Sequence, residues 1–220
     1  MRINIAIDGP SGAGKSTISD ILAQKLGYAH LDTGSMYRAV AYTALGKGLK
    51  LDDEDSIVKM IEEEMDLQLN PDGSIFCNGE DISDRIRTNE ISMAASDVSK
   101  LKNVRKALVA MQQKIASAKG YIVDGRDICE VVLPDAEVKI YLTASAEARA
   151  QRRYLQNKEK GIEGDYDTIL EDIKKRDYQD SHRENSPLRK AEDAIEVDTS
   201  EMDIEETTEY IMNIIREKTE

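Results

Sequence analysis

Tryptophan is absent from this 220-residue chain, phenylalanine occurs once, histidine and cysteine twice each, and proline four times. Each scarcity excludes something. His30 and His182 lie far apart, so no zinc constellation is available. Cys77 and Cys129 show no pairing pattern, which fits a reducing compartment rather than a disulfide framework. Long apolar runs are missing too. Nothing approaches the roughly 20 residues of a membrane span, and the first apolar run stops at Asp8-Gly9, so no secretory signal is expected. These absences predict a soluble, cytoplasmic chain. Positive charge is in deficit. Thirty Lys and Arg face 43 Asp and Glu, a formal net charge of −13. That balance argues against a nucleic-acid or anionic-membrane partner, because both need a basic surface. It also makes any local cluster of arginines notable. Without an obvious exposed apolar stripe, the acidic surface predicts a monomer. The length suits one compact domain, or one with a sizeable insertion, and 40% apolar residues can build its core.

What is present begins at residue 9. Gly9-Pro10-Ser11-Gly12-Ala13-Gly14-Lys15-Ser16 reads G-x-x-x-x-G-K-S, the phosphate-cradling loop of nucleotide-binding proteins, followed by Thr17. The glycines let backbone N–H groups turn towards an anion, Lys15 offers a point charge to the β- and γ-phosphates, and the Ser16 hydroxyl can ligate Mg²⁺. An alternating apolar strand, Ile3 to Ile7, precedes the loop, and a helix-spaced run, Thr17 to Leu26, follows and stops at Gly27. Further buried strands are expected at Ala29–Leu31, Tyr121–Val123, Val138–Leu142 and Ala194–Val197. Strands alternating with helices predict an α/β fold with a parallel sheet, whose ligands sit beyond the carboxyl ends of the strands. The segments that follow those ends are the phosphate loop, Asp32-Thr33-Gly34 and Asp124-Gly125-Arg126-Asp127.

The rhythm breaks between Met65 and Thr88. Two short apolar runs flank the turn signature Asn70-Pro71-Asp72-Gly73, and Asn78-Gly79 marks another turn, so a small inserted antiparallel sheet is expected. Helices are expected over 145–157 and 166–183, with a charged glycine-containing loop between them. A last helix starts near Asp203, where Glu206 completes a capping box. Arg149, Arg152 and Arg153 share one helix face by spacing, as do Arg176, Asp180 and Arg183. Two such faces joined by a loop predict a lid that closes over phosphates and excludes water. Phosphoryl transfer needs that concentration of positive charge more than covalent chemistry. Asp124 ends its strand where a carboxylate can hold Mg²⁺, directly or through water. A guanine-reading N-K-x-D is missing, since segment 157–160 lacks the aspartate. The residues alone allow a GTPase, a small-molecule kinase or a nucleotide sensor, and the missing guanine reader weighs against the first. A kinase for another monophosphate or a small metabolite, and a non-catalytic nucleotide sensor, remain the competing readings beside the one that follows.

The chain resembles the cytidylate kinases, a nucleoside monophosphate kinase family, over nearly its whole length. The resemblance rests on segments 7–16, Leu31-Asp32-Thr33-Gly34-Ser35-Met36-Tyr37-Arg38, Ile86-Arg87-Thr88, Asp124-Gly125-Arg126-Asp127-Ile128, Val132-Leu133-Pro134-Asp135-Ala136, and Arg176-Asp177 through Arg183, in that order. It implies a five-stranded parallel sheet of order 2-3-1-4-5, a core of about 1–60, 97–152 and 184–220, a monophosphate-binding insert of about 61–96, and a lid with its flanking helix at about 153–183. It implies transfer of the ATP γ-phosphoryl group to CMP or dCMP with Mg²⁺. Carried over, residues 9–17, Arg149 and Arg153 would bind ATP. Lys15, Arg126, Arg153 and Arg183 would act on the transferred group. Arg38, Arg126 and Arg183 would grip the acceptor phosphate, with Thr33 alongside. Arg176 and Asp180 would hold the ribose, and Ser96, Arg105 and Asp127 would read the base. That trio suits cytosine: a carboxylate accepts from N4, while Arg105 and Ser96 donate to N3 and O2. The family usually continues Asp-Gly-Arg-Asp-Ile with Gly-Thr, whereas this chain has Cys129-Glu130. A glycine there suggests a tight backbone position. Cysteine predicts a relaxed backbone or a changed contact beside Asp127, and sensitivity to thiol reagents.

Overall fold

The computed structural model describes residues 2–70, 73–159 and 161–219. Five short apolar strands form one parallel sheet: β1 (Ile5–Asp8), β2 (Ala29–Asp32), β6 (Tyr121–Gly125), β7 (Val138–Thr143) and β8 (Ile195–Asp198). Their spatial order is β2-β6-β1-β7-β8. Counting only these five in chain order gives 2-3-1-4-5, as expected. β1 lies at the centre, with Ile7 opposite Asp124 of β6 and Ile140 of β7.

Burial on both faces explains the composition of β1. Ile5 and Ile7 pack with Ile18 and Leu22 of α1 (Lys15–Leu26) and Ile211 and Ile215 of α8 (Ile204–Thr219). Ala6, between them, faces the other way. It joins the cluster built from α2 (Thr33–Gly46), α3 (Glu54–Glu63), α4 (Asn89–Val98) and α5 (Lys102–Ala116). Period-2 alternation therefore sorts one strand between two cores. The capping box forms as read: Asp203 N–H donates to Glu206 at 2.9 Å and Glu206 N–H donates to Asp203 at 2.8 Å.

The expected small sheet has three strands, β3 (Leu67–Leu69), β4 (Ile75–Cys77) and β5 (Glu80–Asp81), all antiparallel. In its first turn Gly73 N–H donates to Asn70 O at 2.9 Å, while Pro71 and Asp72 lie outside the described residues. Asn78 and Gly79 both take positive φ, 53° and 80°, the mirror-image turn that suits strand twist. Ile75, Cys77, Ile82, Ile86 and Ile91 pack with Ala39 of α2, fixing this sheet beside that helix.

The arginine-bearing helices are α6 (Ala146–Glu159) and α7 (Tyr166–His182), which pack against each other. Tyr154 and Tyr166 meet edge to face, and Asp165 caps α7 by accepting from Thr168 N–H at 3.0 Å. Lys160, between them in sequence, lies outside the described residues. Among the described residues no helix is long and apolar enough to cross a membrane.

Candidate active site

The phosphate loop turns from β1 into α1 through glycines at φ 153° (Gly9), 79° (Gly12) and 93° (Gly14). At Gly9 an added Cβ would sit 1.9 Å from the Leu142 carbonyl oxygen of β7, so backbone contact forbids a side chain. Around Gly14 the space is open, and α1 starts without a side-chain cap. Its first N–H groups are left for an anion. Pro10, Ser11 and Ala13 complete the curve, and Ser16 and Thr17 stand exposed at its end. Lys15 is buried and donates to Gly9 O at 2.8 Å and Pro10 O at 2.9 Å. Burial, and then the Arg126 guanidinium, push its amine down to about 7, opposed by Asp124, Asp8 and Asp180. An arriving polyphosphate supplies the counter-charge that favours the ammonium form.

Ser16 Oγ donates to Asp124 Oδ2 at 3.0 Å, joining the two expected metal ligands. A hydroxyl and a carboxylate at the phosphate loop are hard oxygen donors, and two of them suit a magnesium ion that keeps several waters. Asp124 is held from other sides as well. Thr33 Oγ1 donates to its carbonyl at 2.7 Å, and His30 Nε2 meets Oδ1 at 2.8 Å. Gly125 must be glycine for this packing, because a Cβ would meet Thr33 Oγ1 at 2.6 Å and Ile128 Cδ1 at 2.7 Å. Thr33 thus spends its hydroxyl on the scaffold. Asp8, at the end of β1, accepts from the N–H groups of Ile128 and Cys129, both at 2.8 Å, and burial raises its carboxyl to about 6.

Beyond the phosphate loop the expected acceptor residues come together. Arg126 Nε donates to Asp180 Oδ2 at 2.8 Å, bringing the β6 edge to α7. Buried Arg105 donates to buried Asp127 and, at 3.2 Å, to Ser99 O. Arg183 donates to Ser186 O at 2.7 Å and to Ser99 Oγ at 3.4 Å. Burial opposes the charge on both Arg176 and Arg183. Neighbouring guanidiniums, chiefly Arg126 for Arg176 and Arg105 for Arg183, lower them further. Arg38 donates to Asp32 at 2.8 Å. Burial would raise Asp32, yet Arg38, Ser35 and His30 together hold it at about 2.

Seven buried side-chain N or O atoms lack a hydrogen-bond partner among the described residues, and four belong to this set: Arg38 Nε, Ser96 Oγ, Arg176 Nε and Arg183 Nη2. Buried polar atoms are ordinarily satisfied. Arg176 feels Arg126, Asp180 and Arg38, and Arg183 feels Arg105, Asp127 and Asp180, so these guanidiniums gather where open donors suit an anionic molecule.

The arginines of α6 separate instead of acting as one face. Arg152 donates to Thr199 and to Met202 O, just beyond β8. Arg149 is buried and fully engaged with Ala144 O, Ser11 O and Asp177. Arg153 alone of the three is exposed, bonded among the described residues only to Gln156 of its own helix, and lies near enough to Arg176 to lower it.

The departure at Cys129-Glu130 has a plain outcome. Cys129 sits in a wide helical turn, Ile128–Val132, without positive φ, so no strained backbone is involved. Its thiol is buried against Ala6 O and Ile140 O, both at 3.8 Å, and burial, then Asp8, push it far above the usual thiol range. That overturns the expectation of a reactive cysteine. Glu130 turns outward to Arg189 at 2.8 Å.

Some participants were not singled out in the sequence. His30 appeared only as a strand residue and in the excluded zinc reading, and its position two residues before Asp32, on the same strand face, was the available signal. Tyr37 lies under the Arg105 guanidinium at 5.6 Å, and its hydroxyl is pushed up to about 12 by burial, against the pull of Arg105. Asp177 was legible only as the neighbour of Arg176.

Comparison with known proteins agrees with this geometry. The family model described as cytidylate kinase matches residues 5–217. A cytidylate kinase of Caldicellulosiruptor saccharolyticus is 51% identical over 216 residues, covering 97% of this chain and 95% of that protein. One from Bacillus subtilis is 46% identical over 219 residues, covering 99% and 98%. Among solved structures, an uncharacterized protein from Eubacterium ventriosum is similar at a TM-score of 0.54, with 15% identity and coverage of 98% and 99%. That last likeness concerns the fold alone.

Proposed function

The chain belongs to the cytidylate kinase family, and from that premise we propose that it moves the γ-phosphoryl group of ATP to CMP or dCMP, giving ADP and CDP or dCDP. The observation that carries the reading is the set of unpartnered buried atoms, Arg38 Nε, Ser96 Oγ, Arg176 Nε and Arg183 Nη2, together with the buried Arg105–Asp127 pair that Arg183 adjoins. Residues 9–17 cradle the ATP phosphates. Lys15 swings from its own loop carbonyls to the β- and γ-phosphates. Arg153 reaches the γ-phosphate as the lid closes, while Arg149 acts on ATP through the loop it fixes.

Arg38, Arg126 and Arg183 hold the acceptor phosphate so that one of its oxygens faces the γ-phosphorus. The new P–O bond forms as the bond from the γ-phosphorus to the β–γ bridging oxygen breaks. Arg126, Arg153 and Arg183 balance the charge spread over the transferring oxygens. Arg176 and Asp180 bind the sugar. Asp127 accepts from cytosine N4, and Arg105 and Ser96 donate to the ring acceptors. Uracil would set an acceptor against the carboxylate, and such mismatches cost up to roughly 10⁴-fold in kcat/KM. Ser16 and Asp124 would hold Mg²⁺, which would supply charge neutralisation at the phosphates. We read the enzyme as a cytoplasmic monomer, in keeping with its two free thiols and its net charge of −13. In this reading segment 61–96 is the monophosphate-binding insert and 153–183 the lid.

An ADP-release assay with ATP and Mg²⁺ against CMP, dCMP, UMP, AMP and GMP tests the proposal. Strong turnover with CMP and dCMP, weak with UMP and none with purines is expected. Preference for another monophosphate would overturn the base assignment.

A further inference from the structure

We infer that His30 is a positioning residue, which holds the carboxylate of Asp124 in the orientation that the magnesium–ATP complex requires. The inference rests on the reading of Ser16 and Asp124 as the metal corner.

Four side chains form one chain of hydrogen bonds. Asp20 Oδ1 lies 2.7 Å from His30 Nδ1, His30 Nε2 lies 2.8 Å from Asp124 Oδ1, and Asp124 Oδ2 lies 3.0 Å from Ser16 Oγ. Both ring nitrogens face carboxylate oxygens, so both donate. The placement follows from the fold. β2 and β6 are parallel neighbours with His30 opposite Ile122 and Asp32 opposite Asp124, so His30 and Asp124 share a face two residues apart. Ser16 and Asp20 lie one turn apart on α1. The helix that presents the metal-binding hydroxyl therefore also presents the carboxylate that orients the imidazole.

Burial grades along the chain. The side chain of Asp20 is 59% exposed, that of His30 11% and that of Asp124 4%. A carboxylate turns easily about its last side-chain bond. Ser16 cannot anchor Asp124 once its hydroxyl turns to a metal. Among the described residues, His30 is then the one side chain left holding the carboxylate. Partners that orient metal ligands from behind alter metal affinity by about 10- to 100-fold when removed.

The experiment is calorimetric titration of the full chain with ATP, once with Mg²⁺ and once with EDTA, for the wild type, His30→Phe, His30→Gln and Asp20→Ala. The quantity read is the gain in ATP affinity due to Mg²⁺. His30→Phe should reduce that gain about tenfold or more while leaving the affinity in EDTA within about twofold. His30→Gln, whose amide still donates to Asp124, should restore most of it. Asp20→Ala changes an exposed side chain that the fold does not need, and should reduce the gain to a smaller extent. An unchanged gain in His30→Phe and Asp20→Ala overturns the inference, as does an equal loss with and without Mg²⁺. No acceptor is present in this titration. A failure of CMP turnover would therefore count against the proposed reaction and leave this result standing.

Discussion

Arg149 grips Asp177 with both terminal guanidinium nitrogens, at 2.9 and 2.6 Å, and reaches the Ser11 carbonyl at 3.0 Å with one of them. Three elements meet at that guanidinium: the phosphate loop, the start of α6 and the middle of α7. The phosphate loop and α7 are tied together through one buried side chain. Arg149→Met should cost about 3 kcal/mol of stability, because it leaves a partly buried carboxylate without its partner. In a double-mutant cycle with Asp177→Asn, urea unfolding should give a coupling of about 1 kcal/mol or more. Additive effects would show that the two residues act independently.

Asp127→Ala should lower the preference for CMP over UMP, read as the ratio of kcat/KM values, by about tenfold or more. The expected loss falls on CMP, whose N4 group forfeits its acceptor. An unchanged ratio would remove Asp127 from base reading.

Two glycines of the phosphate loop separate steric from conformational need. Gly9→Ala drives a methyl group into the Leu142 carbonyl, so the thermal midpoint should drop by the equivalent of at least ~2 kcal/mol, with ATP binding lost. Gly14→Ala meets open space and carries only the left-handed backbone strain, about 1–2 kcal/mol. Equal damage from both changes would contradict the backbone contact at Gly9.

Asp8 gives a pH dependence of definite sign. Its folded pKa, about 6, lies above the ordinary 3.8, so between these values the folded chain binds more protons than the unfolded one. Its contribution to stability is complete below about 3.8 and is lost as pH rises through about 6. The Tm of Asp8→Asn relative to wild type should therefore improve between pH 4 and pH 7. A difference that stays flat would mean that the carboxyl titrates normally.

Neither cysteine should react in the native state. Cys129 is 1% exposed and Cys77 6% exposed. A chromogenic disulfide reagent should find both thiols in denaturant and almost none without it, with kinase activity retained. Rapid loss of activity on alkylation of Cys129 would refute the buried placement.

Local patterns made much of this legible. The phosphate loop, the five strands and the Asp203–Glu206 cap each depend on residues close in sequence, where spacing and turn chemistry suffice. The lid arginines show the limit. Arg149, Arg152 and Arg153 share spacing that predicts one face, yet Arg152 turns to Thr199, Arg149 to Asp177, and Arg153 to Gln156 of its own helix. A helical wheel places the stems of such side chains, and the partners of their far ends come from segments tens of residues away.

The sequence by itself determined the parallel sheet, its order through the resemblance, and the chemistry at each strand end, since these follow from periodicity and from motifs within about ten residues. Only the tertiary structure decided which polar atoms are already paired and which stand open to a ligand. It alone joined Asp20, His30, Asp124 and Ser16, and turned Cys129 inward beneath β1 and β7. The physical reason is range. Hydrogen bonds and burial depend on distances of a few ångströms between groups that the chain separates by 108 residues for Ser16 and Asp124 and by 138 for Arg149 and Ser11, and no local pattern encodes that meeting.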